Sequence, residues 1–324
     1  DAAAGAIYGS RAANGVIIIT TKNGQKDQPL KVEYNGYFGF DNIRKGTYDI
    51  MNADQYSQYL GQACSNSGTP LPGGYKLGED GKYHFMDNTN TDWFDEVFKT
   101  GVRQDHNVNL SGGGTHNTYN VGLDFFQQKG TIEGAGPNFK RYTARVNNNF
   151  DTKFIKFRTS AVYSHSDQDN MALSNASEYV QGLYGDVTNV LRGTLLMQPT
   201  IKAYDPSTWV LDDKVGAAGN YKYDAYGYGV YYDTVHGDIS ASNPLLVNNL
   251  LTRNTLVDRF VGTASADVDL LNMVGVHSKN HHLNYKINLS YSKTHAKDKT
   301  WIPSWIQSNR VYLAKSNETL TKGS

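Results

Sequence analysis

His282-Leu283-Asn284-Tyr285-Lys286-Ile287-Asn288-Leu289-Ser290-Tyr291-Ser292 alternates in character along its whole length. Leu283, Tyr285, Ile287, Leu289 and Tyr291 share one side; Asn284, Lys286, Asn288, Ser290 and Ser292 share the other. Successive strand side chains point to opposite faces, so this segment makes a strand with one apolar and one wet surface. The same period recurs at 31–40, 105–111, 118–127, 141–150, 153–164 and 256–270. In a soluble sandwich the apolar face would be core; in a membrane barrel it would meet lipid. Alternation alone leaves both open.

The connections between these segments separate the two cases. In chain order they run long (41–104), tight and Gly-rich (112–117), intermediate (129–140), minimal (Asp151-Thr152), very long (165–255) and moderate (271–281). Short turns at one end and long loops at the other are the asymmetry of an outer-membrane barrel. A compact soluble domain seldom holds a structureless connection as long as 165–255. Within the loops, Asn52 with Gln55 forms a capping-box pattern ahead of a helix. Residues 91–98 predict a short helix or turn. From Ser177, Val180, Leu183, Tyr184, Val187, Val190 and Leu191 keep helical spacing, ending before Pro199.

Composition agrees. The 324 residues include 23 Tyr, 12 Phe, 4 Trp and 32 Gly with only 39% hydrophobic residues, which suits many short strands joined by turns. Lysine plus arginine equal aspartate plus glutamate at 31 each, so the basic excess of a nucleic-acid surface is missing. No apolar run is long enough for a transmembrane helix, but barrel strands need only about 9–11 residues with one polar face.

Enzyme signatures are not evident: there is no Gly-x-Ser-x-Gly elbow, P-loop, His-Glu-x-x-His or Cys-x-x-Cys. No catalytic residue, metal site or cofactor is expected. The single Cys64 has no local base to activate it. His277 with His281-His282 sits in a turn and reads as solvated surface, and Asp167-Gln168-Asp169-Asn170 lacks the Gly and distal Glu of a calcium loop. The densest aromatic run, Tyr221, Tyr223, Tyr226, Tyr228, Tyr231 and Tyr232 with Trp209 upstream, is either a ligand-gripping surface or a self-packed loop. Trp209, Tyr221, Tyr223, Tyr226 and Tyr228 are the candidate substrate contacts. Strand aromatics such as Tyr34, Phe38, Tyr142, Tyr163 and Tyr285 suit a lipid-facing girdle. Arg141, Arg145, Lys156, Arg158, Arg259 and Lys286 would line the lumen.

The N-terminus carries a further signature. Ile7-Tyr8-Gly9-Ser10-Arg11-Ala12-Ala13-Asn14-Gly15-Val16 leads into the apolar run Ile17-Ile18-Ile19. It resembles the end of the plug domain in SusC/RagA-type TonB-dependent outer-membrane transporters. Met51-Asn52-Ala53, Thr91-Asp92-Trp93, Gly112-Gly113, Arg141-Tyr142 and Asn243-Pro244-Leu245 resemble the same family in the same order. The resemblance implies an all-β antiparallel transmembrane barrel, with the plug signature Ile7, Tyr8, Gly9, Ser10, Arg11, Asn14 and Gly15 in a structural role. Residues 1–26 would end the plug and 27–324 would open the barrel, with long loops at 41–104 and 165–255.

The implied function is TonB-dependent import of an oligosaccharide or peptide across the bacterial outer membrane, without enzymatic activity. The implied partners are the TonB-ExbB-ExbD complex, a SusD-like lipoprotein and outer-membrane lipid, with no nucleic acid. Arg11 would pair with a wall carboxylate such as Asp124 or Glu33. Seven strands leave two unpaired edges, which is untenable in lipid, so the barrel is expected to need further strands. The rival expectations are a passive porin or adhesin-type barrel, and a soluble β-rich glycan-binding or glycan-cleaving protein.

Overall fold

The alternating segments become one continuous ladder. A computed structural model describes residues 23–44, 49–171, 190–203, 244–250, 252–276, 283–302 and 315–322. The strands are β1 (Gln28–Asp41), β2 (Tyr75–Leu77), β3 (Tyr83–Phe85), β4 (Gly101–Gly113) and β5 (Asn117–Lys129). They continue as β6 (Asn138–Asp151), β7 (Ile155–Asp169), β8 (Thr252–Asp269), β9 (Asn284–Ile302) and β10 (Lys315–Lys322). Among the described residues eight of them form a single sheet in the order β1-β4-β5-β6-β7-β8-β9-β10, every pair antiparallel. β2 and β3 form a separate hairpin inside the first long loop.

The seven expected strands are all present, and the structure lengthens them and adds an eighth. The segment expected to begin at 153 begins at Ile155, because Thr152 closes a tight turn: its N–H donates to the Ile155 carbonyl at 2.7 Å, and its hydroxyl accepts from the Ile155 N–H at 2.9 Å. The last alternating segment of the sequence stops at Ser292. Instead β9 runs on to Ile302, and β10 pairs with it from Lys315↔Ile302 to Lys322↔His295. Lys315-Ser316-Asn317-Glu318-Thr319-Leu320-Thr321-Lys322 has one apolar residue, so hydrogen bonding to β9 rather than side-chain pattern makes it a strand.

Burial is inverted relative to a soluble sheet. On the apolar face Leu289 is 67% exposed, Val32 61% and Leu283 54%, while Asn120 and Asn147 on the polar face are 5% exposed. Among the described residues no second layer covers the apolar face. Aromatic side chains run across it: Tyr34 stacks on His106 and shares a 2.7 Å hydrogen bond with its Nδ1, and the Phe125 and Tyr142 centroids are 5.0 Å apart.

The apolar band crosses the ladder obliquely. On β1 it spans Leu30 to Phe40, on β9 Leu283 to Tyr291. Pairing leads from Phe38 through Gln104, Gln127, Lys140, Asp167 and Leu256 to Lys297, six residues past Tyr291. A band that stays level in a bilayer while the rows climb is what tilted barrel strands produce.

Entry into β1 is tight. Gly24 lies against the Gly112 and Tyr119 carbonyls with no room for a Cβ, and Lys26 pairs with Asp151 at 2.6 Å. Among the described residues no helix is long and apolar enough to cross a membrane.

Candidate functional site: a packed loop cap over a polar wall

Three distant loops meet above one end of the sheet. In the first, α1 (Ala53–Ser67) begins at Asn52, whose side chain accepts from the Gln55 N–H while Gln55 accepts from the Asn52 N–H; the capping box read from the sequence is present. α1 rests on the β2–β3 hairpin: Gly61 faces the Tyr83 ring directly, and Gln58 Nε2 donates to the Tyr83 carbonyl at 2.8 Å. At the hairpin tip the His84 ring, hydrogen-bonded to Asp80 at 3.0 Å, holds the Asp80 carboxyl below the usual carboxylate range, helped by the Lys82 N–H.

α2 (Trp93–Val97) is capped by Asp92, which accepts from the Phe94 and Asp95 N–H groups. It supplies the centre of the cap. Trp93 is 1% exposed and Val97 is fully buried; they cluster with Val190, Met197, Ala203 and Leu245. α3 (Val190–Leu196) and α4 (Pro244–Leu250) close the cluster from the third loop. The helical spacing expected from Ser177 is realised at Val190–Leu196 and ends before Pro199; 172–189 lie outside the described residues.

Polar contacts tie the loops as firmly as the apolar core. Trp93 Nε1 donates to the Gln198 carbonyl at 2.9 Å and Thr91 Oγ1 to the Ile201 carbonyl at 2.7 Å. Tyr75 and Thr200 share a 2.7 Å hydroxyl–hydroxyl bond. Asn248 Nδ2 donates to the Glu133 and Gly136 carbonyls, each at 2.6 Å, stitching α4 to the β5–β6 connection. Nothing in the sequence marks Asn248, because its partners lie more than 100 positions away.

Below the cap, the ladder puts Arg141, Arg145, Lys156, Arg158, Arg259 and Lys286 on the polar face, as expected of a lumen wall. Arg103 pairs with Asp41 at 3.0 Å, and Arg141 approaches Asp124 at 3.7 Å. Asp124, a suggested Arg11 partner, thus already faces Arg141. Gly122 lies directly across the ladder from Arg145. On the opposite, outward face Asp167 and Asp169 both accept from Asn254 Nδ2, at 2.6 and 2.8 Å. Among the described residues no cluster of His, Cys, Asp or Glu could hold a metal.

The plug signature Ile7 to Gly15, the candidate contacts Trp209, Tyr221, Tyr223, Tyr226 and Tyr228, and the histidines at 277, 281 and 282 lie outside the described residues. The structure does describe both anchors of the tyrosine-rich segment. Ala203 precedes it and Leu245 follows it, and both are buried in the same cluster.

No protein-family model matches the chain. Among curated proteins it is 32% identical over 247 residues to the TonB-dependent receptor SusC of Bacteroides thetaiotaomicron, across 75% of this chain and 20% of that protein. It is also 32% identical over 173 residues to TonB-dependent receptor P3 of Formosa agariphila, across 53% of this chain and 15% of that receptor. Among solved structures, the RagAB peptide importer in its open-open state matches with a TM-score of 0.58 at 19% identity, over 94% of this chain and 32% of that one. The closed-closed state gives 0.57, also at 19% identity, over 92% and 32%. These relatives are receptors and transporters, not enzymes. The chain spans about a fifth of the length of SusC. With an outward apolar band, a polar inner wall and this kinship, the chain belongs with the SusC-type TonB-dependent receptors, β-barrel proteins of the bacterial outer membrane.

Proposed function

We propose that the protein imports a nutrient, an oligosaccharide or a peptide, across the outer membrane, energised by TonB-ExbB-ExbD and served by a SusD-like lipoprotein seated on the loop cap. Residues 1–26 end a plug, and 27–324 form barrel wall and loops. The observation that carries this proposal is the cap: a packed, hydrogen-bonded core built from three loops over one end of a polar-lined wall. A passive pore needs no such anchored platform. Kinship to SusC supports the energy source, and the peptide importer of the same fold supports the substrate size class.

Trp209, Tyr221, Tyr223, Tyr226 and Tyr228 grip the substrate by stacking, and Arg11 keeps the plug against the wall. The test is uptake of labelled oligosaccharides and peptides by cells carrying the gene, with and without TonB. Import should vanish without TonB. Uptake that persists without TonB, at a rate linear in concentration, would mark a passive pore instead. Alanine at the five aromatic positions together should weaken substrate binding at least roughly tenfold, at the ~0.5–1.5 kcal/mol that aromatic contacts add beyond area burial.

A further inference from the structure

Four residues, 24–27, lash the chain to the wall just before β1 begins. Gly24 and Gln25 cross the base of the β4–β5 hairpin in backbone contact: a Cβ on Gly24 would drive into the Gly112 and Tyr119 carbonyls, and one on Gly113 into the Gln25 carbonyl. Gly113 shares a ladder row with Thr118, Asn149 and Arg158, so the crossing lies on the polar, inner side of the wall. Lys26 then reaches to Asp151 at the end of β6, at 2.6 Å. Asp27 turns the chain with a φ of 52°, a left-handed conformation that a non-glycine residue keeps only where its surroundings hold it. Its N–H donates to the Gly114 carbonyl at 3.3 Å, and Thr115 Oγ1 donates to its carboxylate at 3.1 Å. The two turns that receive these contacts are themselves joined, the Asp151 N–H donating to the His116 carbonyl at 2.7 Å.

The fastened segment is set apart from the strand it leads into. Between Gln28↔Gly113 and Lys31↔Ser111 three steps on β1 answer two on β4, a bulge that interrupts the regular ladder. Among the described residues β1 pairs with β4 alone, at the edge of the sheet. Ladder hydrogen bonds lie across the strand, so tension on the free end of β1 would load them one pair after another. A pull on the chain ahead of Gly24 meets the crossing, the ion pair and the Asp27 turn first.

We infer that residues 24–27 are a strap that bears the load when the preceding segment is pulled, keeping β1 in the wall. Its use in import rests on the TonB-driven reading above; its strength does not, because the purified protein is pulled without TonB. The full-length protein in a lipid bilayer is extended from its N-terminus by single-molecule force spectroscopy. The parent should show a rupture at the strap ahead of the release of β1. Lys26→Gln and Gly24→Val should each shift that rupture to lower force, and the double variant should lose it, with the forces for later strands unchanged. Lys26→Gln leaves the backbone crossing intact, so it decides the matter even where valine at 24 hinders folding. An unchanged rupture force in Lys26→Gln overturns the strap, as does release of β1 with no earlier rupture in the parent. A strap that holds in a protein whose uptake ignores TonB refutes the import reading alone.

Discussion

Single residues decide whether the loops form a cap at all. Asn248 spends both amide hydrogens on carbonyls of another loop. Asn248→Ala leaves the Glu133 and Gly136 carbonyls short of donors, at a cost of about 1–3 kcal/mol. Hydrogen exchange in 130–137 should quicken, while exchange in β5 and β6 stays as it was; equal protection in the variant would show that water replaces the amide. Trp93 is the larger anchor, with its ring buried and its N–H bonded to Gln198. Trp93→Ala should cost about 3–5 kcal/mol by removing a fully enclosed aromatic side chain. That loss belongs to the cap alone. Limited proteolysis should cut the first and third loops faster, with the barrel still migrating as folded on unheated gels. A variant that fails to assemble would show that cap and wall fold as one unit.

Elements obey a face rule that two substitutions can test. Leu289 and Asn288 are neighbours on β9 with opposite faces. Leu289→Arg puts a charge against hydrocarbon, at about 2–4 kcal/mol near the bilayer midplane. Asn288→Arg adds one to a wall already rich in arginine. The yield of folded barrel in outer membranes should fall for the first and hold for the second; the reverse ranking would turn the sheet inside out. The same face rule explains what was legible in sequence. Seven strands announced themselves where lipid demands alternation. Their upper ends did not, because above Tyr291 the outward residues become Lys293, His295 and Lys297 and the contrast between faces disappears although the ladder goes on. β10 lies wholly in that regime. The cap at Asn52 was readable because capping is local. The cluster of Trp93 with Val190 and Leu245 was not, since its members are separated by long stretches of chain.

At the scale of the whole molecule, wall and cap are held by different physics. The wall relies on an unbroken hydrogen-bond ladder whose apolar side is satisfied by lipid; the cap has an ordinary buried core. Units of unlike stability can open separately, so the loops can loosen while the ladder holds. The oblique course of the apolar band also fixes a dimension. Six crossings from β1 to β9 put Tyr291, the top of the band on β9, level with Val32, eight residues below Phe40 at the top of the band on β1, or about one and a third residues per neighbour. That rise, about 4.4 Å, against an interstrand spacing of about 4.8 Å corresponds to a lean of roughly 40°. At that pitch the wall is a helical thread: following a hydrogen-bonded row part-way around the pore carries it from one leaflet toward the other.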